Sequence, residues 1–134
     1  MKILVVDDSQ IMRRILKVGI SKIIKDVIIL EAENGKEALE ILKENPDVKY
    51  TFLDINMPIM KGDEMLKILR SDPELKHHKV IIQTTEGRKE KFLEIKKLGI
   101  SGYIIKPYTQ QIVESMIKKL MEKEKKKQEA TAMA

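Results

Sequence analysis

Cysteine and tryptophan are both absent from this chain of 134 residues, and two phenylalanines and three tyrosines make up all of its aromatics. Without cysteine there is neither a disulfide nor a thiolate metal site, which fits a reducing compartment. Tyr50, Phe52, Phe92, Tyr103 and Tyr108 are not interleaved with basic residues, so nothing offers a platform for bases and nucleic acid is set aside as a partner. No apolar run approaches membrane-spanning length, and the one after Lys2 stops at Val6, too short for the core of a signal peptide. A soluble, cytoplasmic protein without membrane insertion is expected. No Gly/Ser-rich or Pro-rich stretch marks a linker, and 43% hydrophobic content supplies one core of ordinary size. One domain is expected over residues 1–127. Residues 128–134 carry no apolar stripe and are expected to fray.

The net charge is +5, but its excess concentrates late, at Lys118, Lys119, Lys123 and Lys125 to Lys127. Cations there complement the carboxyl end of a helix dipole, so the cluster reads first as a solvated helix end, with an acidic partner or a membrane surface as the alternative. Short runs rich in Val and Ile at Lys2 to Val6, Val27 to Ala32, Thr51 to Ile55, Val80 to Thr84 and Gly102 to Ile105 each read as a buried strand. Helical stripes lie between and after them: Ile11, Ile15 and Val18 behind a Ser9 cap, then Ala38, Ile41 and Leu42. Met65, Ile68 and Leu69 follow, then Phe92, Ile95 and Leu98, and finally Ile112, Met116, Ile117 and Leu120. Five strand–helix alternations with short connections predict an α/β fold, a doubly wound parallel sheet of five strands with five helices.

In such a sheet ligands bind beyond the carboxyl ends of the strands, and that is where Asp7, Asp8, Asp54, Thr84 and Lys106 all stand. Three carboxylates in one crevice raise each other's pKa unless a hard cation or a hydrogen-bond donor neutralises them. With no cysteine, and no histidine paired to a serine or threonine, the nucleophile is the Asp54 carboxylate, which suits phosphoryl transfer. Asp7 and Asp8 offer oxygen ligands for Mg²⁺, while the Lys106 ammonium and the Thr84 hydroxyl can face the equatorial oxygens. No glycine-rich phosphate loop is present, so the phosphoryl donor comes from elsewhere. His77 and His78 read as solvated loop residues outside the site. Asp8 ahead of Ser9 has a plainer reading as a helix cap, and Tyr103 as a strand aromatic.

Val5-Val6-Asp7-Asp8-Ser9, Asp54-Ile55-Asn56-Met57-Pro58 with Gly62, Thr84, and Lys106-Pro107 together resemble the receiver domain of bacterial two-component response regulators. The resemblance spans almost the whole chain. Within the family it is strongest to the single-domain chemotaxis regulators, through Met12-Arg13-Arg14, Glu86 and Ser101-Gly102-Tyr103. It implies a flavodoxin-like sheet in the order 2-1-3-4-5. It also implies that Asp54 accepts a phosphoryl group from a CheA-like histidine kinase, and that Asp8, Asp54 and the Asn56 carbonyl ligate Mg²⁺ with Asp7 acting through water. Lys106, joined to Pro107 by a cis bond, would contact the phosphoryl group. Thr84 would shift toward the new charge and Tyr103 would turn inward. The face made by the fourth helix, fifth strand and fifth helix would then change its partner, a flagellar motor component. Asn56 and Glu86 would leave room for an attacking water and so a short-lived phosphate, with a helper phosphatase as a further possible partner.

Two departures from the family pattern stand out: Tyr108 where phenylalanine is usual, and Thr85 where a small residue follows the switch threonine. Arg88, Lys89, Lys91, Lys96 and Lys97 would border the partner face and favour an acidic target peptide. One helix follows Pro107, so the expected output is binding and not catalysis of a separate reaction. A phosphorelay shuttle or phosphate sink is the nearest rival function. Asp54-Ile55-Asn56 also resembles the DxD of haloacid-dehalogenase-like phosphatases, but Asn56 cannot serve as their general acid.

Overall fold

The computed structural model describes residues 1–133, which alternate strictly between strand and helix. In chain order they are β1 (Lys2–Val6), α1 (Gln10–Ile23), β2 (Ile28–Ala32), α2 (Gly35–Glu44), β3 (Val48–Asp54), α3 (Gly62–Ser71), β4 (Lys79–Thr84), α4 (Lys89–Lys96), β5 (Gly102–Ile105) and α5 (Gln110–Met133). All five strands are parallel in the order β2-β1-β3-β4-β5, the expected doubly wound sheet. The runs at β1 and β5 match their expected bounds. β3 begins earlier, at Val48, and ends at Asp54, not Ile55.

Side chains alternate along each strand, so the sheet feeds two cores. Leu4, Val6, Leu53, Val80 and Ile82 meet α2, α3 and Ile95 of α4 on one side. Ile3, Val5, Tyr50, Phe52 and Ile81 meet α1 and α5 on the other. Ser9 caps α1 by accepting from the Met12 N–H, as expected. The apolar stripe expected of α1 is rotated, however: Leu16, Gly19 and Ile20 are buried, whereas Ile11 is 73% exposed. The cause is Gly19, where a Cβ would lie 2.8 Å from the Val113 Cγ1 of α5, so only a residue without a side chain lets the two helices meet there.

Residues 128–133 continue α5, where Gln, Glu, Ala and Met favour helix and no glycine or proline interrupts, and residue 134 lies outside the described residues. One further expectation is corrected. His77 is exposed, but His78 turns inward, with its Nε2 2.6 Å from the Thr51 hydroxyl. Adjacent residues point to opposite sides, and here that places one histidine in solvent and the other in the protein. Burial, aided by the Arg70 charge, lowers the His78 pKa to about 4, so the ring is neutral. No described helix is long and apolar enough to cross a membrane.

α4 is the least embedded helix, with Ile95 its one buried residue. The Arg70 guanidinium ties down the chain just past its carboxyl end, donating to the carbonyls of Leu98 (2.8 Å) and Gly99 (2.7 Å). Near its amino end the ties are an ion pair, Lys91 to Asp63 at 3.0 Å, and the stack of the Phe92 ring on Tyr103.

Candidate functional site

β1 connects to β2 through a helix on one face, and β2 to β3 through a helix on the other, so a crevice opens between the carboxyl ends of β1 and β3. Asp7 and Asp8 follow β1 and Asp54 closes β3, and their carboxylates offer oxygens that all lie within 4.8 Å of one another. Asp7 is fully buried, Asp54 is nearly so, and Asp8 is exposed. Gly62 allows the loop after β3 to fold back onto the site. Its N–H donates to the Ile55 carbonyl at 2.9 Å, and a Cβ there would lie 2.0 Å from the Asp54 carbonyl oxygen.

Lys106 enters from the end of β5, with Nζ 2.6 Å from Asp7 Oδ2 and 3.3 Å from Asp54 Oδ2. The bond between Lys106 and Pro107 is cis, as the family resemblance implies. The ammonium therefore bridges both buried carboxylates and sits closer to Asp7. Burial and the Asp7 charge raise the Asp54 pKa from 3.8 to about 6, against the opposing pull of Lys106. Three clustered carboxylates, only two of them in contact with the one ammonium, form an anionic set of hard oxygen donors, which fits a divalent cation such as Mg²⁺.

The remaining candidates surround this group. Thr84 is buried at the end of β4, and its Oγ1 accepts from the Glu86 N–H at 3.2 Å. The Tyr103 hydroxyl donates to the Glu86 carbonyl at 2.8 Å, and its ring stacks on Phe92 with centroids 5.0 Å apart. Asn56 is exposed beside the cluster, while the Glu86 carboxylate is engaged by Arg88 Nε at 2.7 Å.

Two contributors escape the sequence reading. Arg13 is buried in α1 and donates from Nη1 to the Asp7 carbonyl at 2.7 Å, fixing the backbone under the cluster. Gln83 is fully buried and donates from Nε2 to Asp7 Oδ2 at 3.0 Å, while its Oε1 accepts from the Tyr108 hydroxyl at 2.6 Å. Burial, with the charges of Asp7 and Asp54, pushes the Tyr108 pKa up and keeps the phenol a donor. The available signal was a carboxamide directly after Val80, Ile81 and Ile82, in a strand buried on both faces.

Residues 3–118 match the response regulator receiver domain family. Chemotaxis protein CheY1 of Helicobacter pylori is 43% identical over 118 residues, covering 87% of this chain and 94% of the relative. A chemotaxis protein CheY homolog of Campylobacter jejuni is 40% identical over 121 residues, covering 90% and 92%. Among solved structures, the CheX-CheY-BeF₃-Mg²⁺ complex from Borrelia burgdorferi superposes with a TM-score of 0.80 at 26% identity, covering 90% of this chain and 89% of that one. The strand order, the carboxylate cluster and these matches agree: the chain belongs to the response regulator receiver domains, among the CheY-like chemotaxis regulators of two-component signalling.

Proposed function

We propose that the chain is a phosphorylation switch in which Asp54 accepts a phosphoryl group from a histidine kinase. The observation that carries this reading is the position of the Lys106 ammonium between Asp7 and Asp54, within the crevice at the strand ends. An Asp54 oxygen attacks phosphorus, the bond from phosphorus to the imidazole nitrogen breaks, and the imidazole keeps the electron pair. Asp8, Asp54 and the Asn56 carbonyl would hold Mg²⁺, with Asp7 acting through water. The bound cation supplies positive charge to both the attacking carboxylate and the phosphoryl oxygens.

Lys106 has two anions to choose between. In the free protein it lies nearer Asp7, and a phosphoryl group on Asp54 competes for it. Thr84, whose hydroxyl accepts from the Glu86 amide in the free protein, stands at the end of the neighbouring strand and would turn toward the same charge. Tyr103 is joined to the carbonyl of that same Glu86, so movement of Thr84 is felt on the face made by α4, β5 and α5. The conformational change is driven by the difference in how the two arrangements hold the phosphoryl group. The proposed output is cytoplasmic binding of a flagellar motor component by that face, with Asn56 and Glu86 setting a short phosphate lifetime.

Intact mass after incubation with Mg²⁺ and acetyl phosphate tests the chemistry. A phosphoryl adduct on the wild type, absent from Asp54→Asn and from chelated samples, is expected; an adduct on Asp54→Asn would overturn the assignment. A chain ending at Lys127 should be phosphorylated at the same rate, which checks 1–127 as the working unit.

A further inference from the structure

Gln83 sits where an apolar side chain would serve the core. It is fully buried on β4, two residues beyond Ile81, on the side of the sheet facing α1 and α5. A buried carboxamide is costly unless its donors and acceptor are used, and here they are. Nε2 donates to Asp7 Oδ2 at 3.0 Å and to the Val6 carbonyl at 3.3 Å, while Oε1 accepts from the Tyr108 hydroxyl at 2.6 Å. Two acceptors on one side fix which end of the amide is nitrogen, and the carbonyl end then fixes Tyr108 as the donor. The chain of hydrogen bonds thus runs in one sense, from Tyr108 through Gln83 to Asp7. It reaches from β4 to the end of β1, across the edge of β3 that lies between them.

Asp7 is held by three groups. Oδ1 accepts from the Ser9 N–H at 2.9 Å, and Oδ2 accepts from both Gln83 and Lys106. When Lys106 turns to another anion, Ser9 and Gln83 are what keep this buried carboxylate oriented. We propose that Gln83 and Tyr108 form a positioning pair that fixes the Asp7 carboxylate for the metal site and keeps it hydrogen-bonded when Lys106 leaves it for the phosphoryl group. Tyr108 acts only through Gln83, and Gln83 only through Asp7. This rests on the proposed function for the occasion on which Lys106 departs, but the positioning itself is a property of the unphosphorylated chain.

Isothermal titration of Mg²⁺ into the full chain tests it, on the wild type, Gln83→Met, Tyr108→Phe and the double variant, with thermal unfolding recorded without Mg²⁺. Loss of a group that orients a metal ligand typically weakens metal affinity by about tenfold or more. Gln83→Met should show a loss of roughly that size, and Tyr108→Phe a smaller loss of several-fold. The double variant should be no weaker than Gln83→Met alone, the signature of two groups acting in series. Wild-type affinity in a folded Gln83→Met would overturn the proposal, as would a Tyr108→Phe loss that is undiminished in the Gln83→Met background. Should Gln83→Met fail to fold, Tyr108→Phe decides alone, with unchanged affinity as the overturning result. A wild type that binds Mg²⁺ with this pattern of variants, yet takes no phosphoryl group from acetyl phosphate, would sink the proposed function and leave the positioning pair standing.

Discussion

The two ends of the sheet each bury a titratable group, and the same physics acts on them with opposite results. At the carboxyl edge Asp54 is pushed up to about 6, and toward the amino edge His78 is pushed down to about 4. In both, burial disfavours the charged form. The difference lies in the company each group keeps. Asp54 has a second carboxylate beside it and shares the Lys106 ammonium with it. His78 faces a threonine hydroxyl and the like charge of Arg70, so its ring stays neutral. Burial alone does not make a site; here it is joined by a second carboxylate and a cation shared between the two.

The comparison has a measurable form in the absence of Mg²⁺. Between about pH 4 and 6 the folded protein retains a proton on Asp54 that the unfolded chain has released, so this group makes stability fall as pH rises. Between about 6.5 and 4 the unfolded chain takes up a proton that His78 refuses, so this group makes stability fall as pH drops. Each is worth on the order of 3 kcal/mol across its window, and in the wild type they oppose each other. Denaturant unfolding of Asp54→Asn should therefore lose stability on acidification from pH 6.5 to 4, and His78→Gln should gain it. Parallel curves for the two variants would break the comparison.

A smaller effect isolates the histidine. Thr51→Val removes the hydroxyl and leaves the half-buried His78 Nε2 without its partner, which should cost about 1–3 kcal/mol at pH 7, read from the urea midpoint. A change below about 0.5 kcal/mol would mean that water replaces the hydroxyl freely. At the carboxyl edge the loop after Asp54 places Ile59, a β-branched residue, at φ 69°, where the Met60 N–H donates back to the Pro58 carbonyl at 2.7 Å. That backbone suits glycine. Ile59→Gly, at a side chain 78% exposed, should gain about 1 kcal/mol and raise the melting temperature by a few degrees, with the Mg²⁺ affinity unchanged.

Most of the frame was legible in the sequence because strand ends are marked by a change from apolar to polar residues. Val6 to Asp7, Leu53 to Asp54 and Ile105 to Lys106 each place a functional group at the same edge. What escaped has a common cause: the deciding contact lies far away in sequence. The phase of α1 depends on Val113 approaching Gly19, and hydropathy gives no weight to a residue that matters for what it lacks. His78 sits in a stretch of Lys76-His77-His78-Lys79 that reads as solvent-exposed, and only the return of Thr51 on β3 draws it in. Gln83 interrupts an apolar strand, and the partners that give it a role, Asp7 and Tyr108, lie 76 and 25 residues away.

Arg70 carries a consequence for motion. By clasping the carbonyls of Leu98 and Gly99 it pins the chain just beyond the far end of α4, while the near end, toward Thr84 and Glu86, is held by side chains alone, the Lys91–Asp63 pair and the stack of Phe92 on Tyr103. A rod fixed at one end and lightly tethered at the other swings, and its displacement grows with distance from the pin. α4 should therefore pivot about Gly99, with the greatest travel around Arg88 and Lys89. Amide hydrogen exchange in Asp63→Asn should quicken at Lys89 to Phe92 and stay slow at Leu98 and Gly99; uniform exchange along the helix would show that it detaches whole.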